Sequence, residues 1–181
     1  REREYIFADL PDIGYSTDID TVMASSYQVK KQLQQIVKIE QPITNTLLYK
    51  RILRIWNLTR VTTRLQVFID NLLEDAYKDP LSGDTIIYWE DEEKAKDCDF
   101  YRINSKRDIL DIPILEVMSA ARYAIEQQIS MPTEDLKRLT SQLLGFSRKG
   151  NNLDMVTEQT IQLLIDQGIF SHANGMVSMN N

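Results

Sequence analysis

The 181-residue chain has 43% hydrophobic residues and a net charge of −6, from 27 acidic and 21 basic side chains. This composition fits one large folded domain or two small ones and excludes a disordered tail. No run of roughly 20 apolar residues is present to cross a membrane, and no basic segment followed by an apolar one opens the chain. Because Cys98 is the only cysteine, an internal disulfide framework is excluded, and we expect a cytoplasmic protein.

A repeated pattern of residue types organises the sequence. Positions 88 residues apart keep the same chemical character without a gap, as in the pairs Leu48 and Leu136, and Arg60 and Arg148. This register extends over three predicted helices in each half, so two similar halves are favoured over a chance alignment of amphipathic segments.

Residues 1–25 are predicted to form an N-terminal arm, in which residues 5–7 are a candidate strand. The first half then extends over residues 26–89. A helix with apolar residues at Val29, Leu33 and Ile36 is followed by a break at Pro42. A second helix is predicted to end near Trp56, a tight turn covers residues 57–60, and a third helix has apolar positions from residue 65 to residue 76. Residues 82–89 indicate a hairpin.

The same order recurs after a predicted acidic linker over residues 90–112. The second half, residues 113–181, has its break at Pro132, a candidate helix cap at Thr133, a turn glycine at Gly145 and a hairpin turn at Asn174-Gly175. Helix, short strand, helix, turn, helix and hairpin is the order of a winged helix. We therefore expect a mainly α protein with small β elements (α+β), built as tandem winged-helix-like repeats in which a helix-turn-helix carries a β-hairpin wing.

The charge is distributed unevenly along the chain. Residues 90–99 hold six acidic and two basic side chains, which is typical of a solvated linker. Between Lys30 and Arg64, eight basic residues face one acid, Glu40, a local excess of +7. Because a phosphate backbone responds to local charge, nucleic acid remains a possible ligand despite the overall acidity.

The candidate contacts lie at the turn and at the start of the last helix, which face the groove in a helix-turn-helix. In the first half they are Lys50, Arg51, Arg54, Thr59, Arg60, Thr62, Thr63, Arg64 and Gln66, and in the second half Arg148, Lys149, Asn151 and Asn152. Thr62 and Thr63 have a second interpretation as helix N-caps. We expect nucleic-acid contact in the first half, and protein contact or a scaffold role in the second.

Residues for catalysis are lacking. The single histidine, His172, cannot complete a catalytic triad on its own, and one cysteine with one histidine cannot form a zinc site. Residues 145–150 have the glycine spacing of a Walker A loop but lack its Lys-Ser/Thr pair. No catalytic residue, metal site or cofactor is therefore predicted, and the chain is not expected to be an enzyme by itself.

Two runs carry a family resemblance: Trp56-x-Leu58-x-Arg60, and Leu144-Gly145-Phe146-x-Arg148-x-Gly150. With the hydrophobic spacing from about Ala24 to Met179, they resemble an uncharacterised C-terminal domain of large bacterial superfamily I DNA/RNA helicase-like proteins. One departure is Thr62, where that family commonly has glycine two residues after the first arginine.

The resemblance implies that an ATPase core and a nuclease domain similar to very-short-patch repair endonucleases belong to the parent protein. ATP and magnesium are accordingly expected for the parent only. The role implied for this chain is accessory, either to hold DNA or RNA for the motor or to dock on other domains of the parent protein or on another subunit.

Overall fold

A computed structural model describes residues 1–181 and divides them into two compact units. The first unit is residues 6–97, and the second unit is residues 1–5 together with residues 98–181. Helices predominate in both, with three small sheets, so the expected α+β class is confirmed. The segment predicted as an N-terminal arm is divided, since residues 1–5 belong to the second unit and residues 6–25 to the first. None of the helices is long and apolar enough to span a membrane.

Strand β1 (Glu2–Glu4) opens the chain and belongs to the second unit. The elements of the first unit follow in the order α1 (Ile19–Ala24), α2 (Ser26–Glu40), β2 (Ile43–Thr44), α3 (Asn45–Ile55), α4 (Thr63–Leu72), β3 (Tyr77–Lys78), β4 (Ile87–Trp89) and α5 (Glu92–Ala95). The three strands form an antiparallel sheet in the order β2-β4-β3.

Local sequence accounts for the helices of the first unit. The predicted apolar stripe of α2 is fully buried at Val29, Leu33 and Ile36, where it packs on α3 and α4. The hydroxyl of Thr44 accepts a hydrogen bond from the backbone N–H of Leu47 and so caps α3. Helix α4 ends at Leu72, so the prediction of a helix reaching residue 76 was too long.

The second unit continues with β5 (Tyr101–Ile103), a 3-10 turn (Ile109–Asp111), α6 (Ile114–Glu126), β6 (Met131–Pro132), α7 (Thr133–Leu143), α8 (Asn151–Asp166), β7 (Phe170–Ala173) and β8 (Met176–Met179). Strands β1 and β5 pair in parallel, and the other three form an antiparallel sheet in the order β6-β8-β7. The predicted Asn174-Gly175 turn joins β7 to β8, with both residues at positive φ.

The 88-residue register extends to the starts of four pairs of elements. Helices α2 and α6, strands β2 and β6, helices α3 and α7, and helices α4 and α8 each begin 88 residues apart. The same offset relates Asn57, which follows α3, to Gly145, which follows α7, and both residues adopt positive φ (49° and 94°). A left-handed residue ends this helix in both units, supplied by asparagine in one and by glycine in the other.

A buried carboxylate organises the second unit. Glu116, on α6, has no solvent exposure and accepts hydrogen bonds from the guanidinium groups of Arg102 and Arg107 at 2.7–3.0 Å. The backbone N–H of Arg102 donates to the same carboxylate, and the Tyr5 ring lies over both guanidinium groups. Burial raises the pKa of Glu116, but the two arginines outweigh it and hold the pKa below its ordinary value.

Replacing Glu116 with glutamine should destabilise the protein strongly, because two buried guanidinium groups lose their counter-charge. We expect a loss of about 3–5 kcal/mol in the free energy of unfolding, measured by urea denaturation. The matched control is Glu126→Gln, at an exposed position on the same helix. A loss for Glu116→Gln no larger than that of the control would contradict this role.

Candidate nucleic-acid interface

The α3–α4 turn of the first unit brings four of the candidate residues together. Thr59 and Arg60 are exposed on the turn, and Thr63 and Arg64 are exposed in the first turn of α4. The left-handed conformation of Asn57 starts the turn, and its side chain donates to the carbonyl of Tyr15 at 3.0 Å. Hydroxyl and guanidinium donors therefore project from one short segment.

Thr62 is the N-cap of α4, which was the second interpretation of this residue. Its Oγ1 accepts a hydrogen bond from the backbone N–H of Leu65 at 3.2 Å, which caps α4. Gln66, one residue further along the helix, is half-buried. Both residues lie beside the exposed turn, but neither presents as open a side chain as Thr59 or Arg60.

The arginines of α3 are used within the first unit. The Arg51 side chain is only 14% exposed and donates three hydrogen bonds to the buried carboxylate of Glu40, at 2.7–3.2 Å. Nη2 of Arg54 donates to the carbonyl of Leu10 at 2.9 Å, and the Phe7 ring lies over both guanidinium groups. Lys50, the third basic candidate on this helix, is exposed. Arg51 and Arg54 thus have less donor capacity to offer a phosphate than the sequence suggests.

Two acidic residues that lie outside residues 30–64 also reduce the local positive charge of that segment. Asp20 lies 2.8 Å from Nη2 of Arg64, and Asp75 lies 3.5 Å from Nζ of Lys30. Neither acid falls between residues 30 and 64, so the excess counted along the sequence overstates the charge at the surface. Sequence reasoning missed Asp20, because a carboxylate 44 residues from its partner leaves no local pattern.

In the second unit, Arg148 and Lys149 are exposed on the α7–α8 turn, and Asn151 and Asn152 are exposed at the start of α8. The turn borders a cleft of about 530 Å³ between α7 and α8. Lys137, which sequence reasoning also missed, lies at this cleft with its side chain 7% exposed. The second unit therefore brings its four candidate residues together as well.

Lys137 is held in the cleft by acids. Its Nζ lies 2.6 Å from the carboxylate of Asp154 and within 4.0 Å of Glu134 and Glu158. Burial lowers the pKa of Lys137, but the hydrogen bond that Lys137 donates to Asp154 and the charges of the three carboxylates outweigh burial and raise the pKa. The cleft mixes both signs of charge, and its exposed basic groups lie on the rim.

The two tryptophans belong to the core of the first unit. Trp56 and Trp89 are 3% and 2% exposed. Their indole N–H groups donate to Gln32 and Asp79, at 2.8 and 2.9 Å. Neither ring is available as a platform for base stacking.

Comparison with known proteins finds similarity to a family over part of the chain. A family model described as a protein of unknown function (DUF3320) matches residues 23–67. The matched segment contains α2, β2, α3, the α3–α4 turn and the start of α4. No curated protein and no solved structure matches the chain.

Proposed function

We propose that this chain is a non-catalytic accessory domain of a helicase-like ATPase and that its first unit binds DNA or RNA through the α3–α4 turn. The sequence resemblance supports a helicase-like ATPase as the parent protein. The match to a domain of unknown function covers the same turn. In each unit the chain forms a helix, a short strand, two helices joined by a turn, and two further strands. This order supports a winged-helix-like fold for each unit.

The observation that carries the proposal is the grouping of Thr59, Arg60, Thr63 and Arg64 on one exposed turn. A guanidinium group can donate two parallel hydrogen bonds to a phosphate, and hydroxyl groups donate to phosphate oxygens. Thr63 and Arg64 lie in the first turn of α4, where the helix dipole adds partial positive charge. The turn thus offers neutral and cationic donors to a nucleic-acid backbone.

The proposed contact surface contains fewer residues than the set of candidates predicted from the sequence. Arg51 and Arg54 fix α3 to residues 7–10 and to Glu40, so their role in the proposal is to support the turn. Phosphate contact is left to Thr59, Arg60, Thr63 and Arg64, with Lys50 on the neighbouring helix. We propose no catalytic step and no cofactor for this chain.

Replacing Arg60 with alanine should weaken binding to single- and double-stranded DNA, because one phosphate contact is lost. Fluorescence anisotropy of labelled DNA at low and physiological salt should show a lower affinity and a salt slope reduced by about one. The matched control is Arg122→Ala, which removes an exposed arginine from α6 in the second unit. Equal losses in the two variants, or no binding by the unmodified chain at low salt, would contradict the proposal.

A second candidate function is docking to another protein, and an apolar groove favours it. The groove has a volume of about 390 Å³ and lies between α2 and the end of α4, where Val37, Leu72, Leu73 and Ala76 line it. Basic and acidic side chains at its border, such as Lys38 and Glu90, would orient a partner. The occupant in this proposal is another domain of the parent protein or another subunit.

Placing an arginine in this groove should abolish docking if the second candidate is correct. Ala76→Arg puts a long charged side chain on the apolar surface, while Ala173→Arg adds the same group at an exposed site on β7. Co-purification with the other domains of the parent protein should be lost for the first variant and kept for the second. Retention of the complex by both variants would contradict docking at this groove.

A further inference from the structure

The residues before α2 run along α3 to the α3–α4 turn. We call residues 10–20 the strap. Its hydrogen bonds reach four consecutive residues at the end of α3 and the start of the turn: Arg54 to the Leu10 carbonyl, the Ile13 N–H to the Ile55 carbonyl, the Thr17 hydroxyl to the Trp56 carbonyl, and Asn57 to the Tyr15 carbonyl. The strap thus satisfies two carbonyls at a helix end that otherwise lack partners within the helix.

The end of the strap is fixed beside the start of α4. Asp18 caps α1 by accepting a hydrogen bond from the backbone N–H of Thr21 at 2.8 Å. Val22 on the same short helix is fully buried, and α1 packs on α2 and α4. The position of Asp20 in the first turn of α1 is therefore set by the packing of the core and not by its own side chain alone.

This packing places a carboxylate on one of the proposed phosphate-binding arginines. Oδ1 of Asp20 lies 2.8 Å from Nη2 of Arg64. Both side chains are exposed, at 77% and 58%, so a nucleic acid can reach the pair. Carboxylate and phosphate oxygens compete for the same guanidinium donors, because both are anionic acceptors of similar geometry.

We propose that Asp20 is an internal competitor for nucleic-acid phosphate at Arg64 and lowers the affinity of the first unit. The inference rests on the proposed nucleic-acid role and adds a residue that limits the affinity for nucleic acid. Exposed ion pairs are weak, so the carboxylate yields to a phosphate and does not close the site. Arg60, which has no such carboxylate partner, remains open to a first contact.

The test compares Asp20→Asn with the unmodified chain by anisotropy of labelled single-stranded DNA across a salt series. The amide keeps the shape of the side chain and removes its charge. We expect affinity to rise by about two- to fivefold, the range of one exposed ion pair. The salt slope should change little, because Arg64 contacts a phosphate in both complexes and only the competing carboxylate charge is lost.

Two controls separate the pair from general electrostatics. Asp9→Asn removes one negative charge from an exposed position on the same N-terminal segment and should change affinity less than Asp20→Asn. In an Arg64→Gln background, Asp20→Asn should have no effect, because the competition needs the guanidinium group. Circular dichroism should show the same helix content in all variants.

The outcomes distinguish the two proposals. Binding that Asp20→Asn leaves unchanged would overturn the inference and keep the proposed function. An affinity gain that persists in the Arg64→Gln background, or that Asp9→Asn reproduces, would also overturn the inference and keep the proposed function. If no form binds DNA at low salt, the proposed function fails, and the inference fails with it.

Discussion

Each unit depends on a carboxylate that is taken out of water and surrounded by arginine donors. Glu40 in the first unit accepts from Arg51 and from the backbone N–H of Ala8, and Glu116 in the second accepts from Arg102 and Arg107. Desolvating a carboxylate is costly, and the hydrogen bonds to its oxygens offset that cost. In both units the donors include a backbone N–H from outside the helix, so each carboxylate also fixes a segment of chain against that helix.

This constraint determines which basic residues remain for a ligand. Because Arg51 is committed to Glu40 and Arg54 to the Leu10 carbonyl, α3 is covered by the chain that precedes α1. The exposed donors lie further along, on the α3–α4 turn and the start of α4. The segment that covers α3 also supports this turn, and it brings the carboxylate of Asp20 onto Arg64. The strap thus both supports the proposed interface and lowers its affinity for nucleic acid.

The helices and their register were predictable because their causes are local. Apolar spacing in α2, the break at Pro42 and the left-handed Gly145 each act within a few residues, and the 88-residue offset extends to the element starts. The partners of the charged residues were not predictable. Glu40 and Arg51 are 11 residues apart, and Asp20 and Arg64 are 44 apart. No periodicity encodes such pairs, so counting charge along the sequence overstated the basic surface.

The most direct test of the proposed interface is a titration of isotope-labelled protein with single-stranded DNA at low salt, followed by amide chemical shifts in two-dimensional NMR. The account predicts that the largest shift changes fall on residues 59–66, with smaller changes at Asp20 and Lys50. Changes concentrated along the groove lined by Val37, Leu72 and Ala76, or no changes at all, would contradict nucleic-acid binding at the α3–α4 turn.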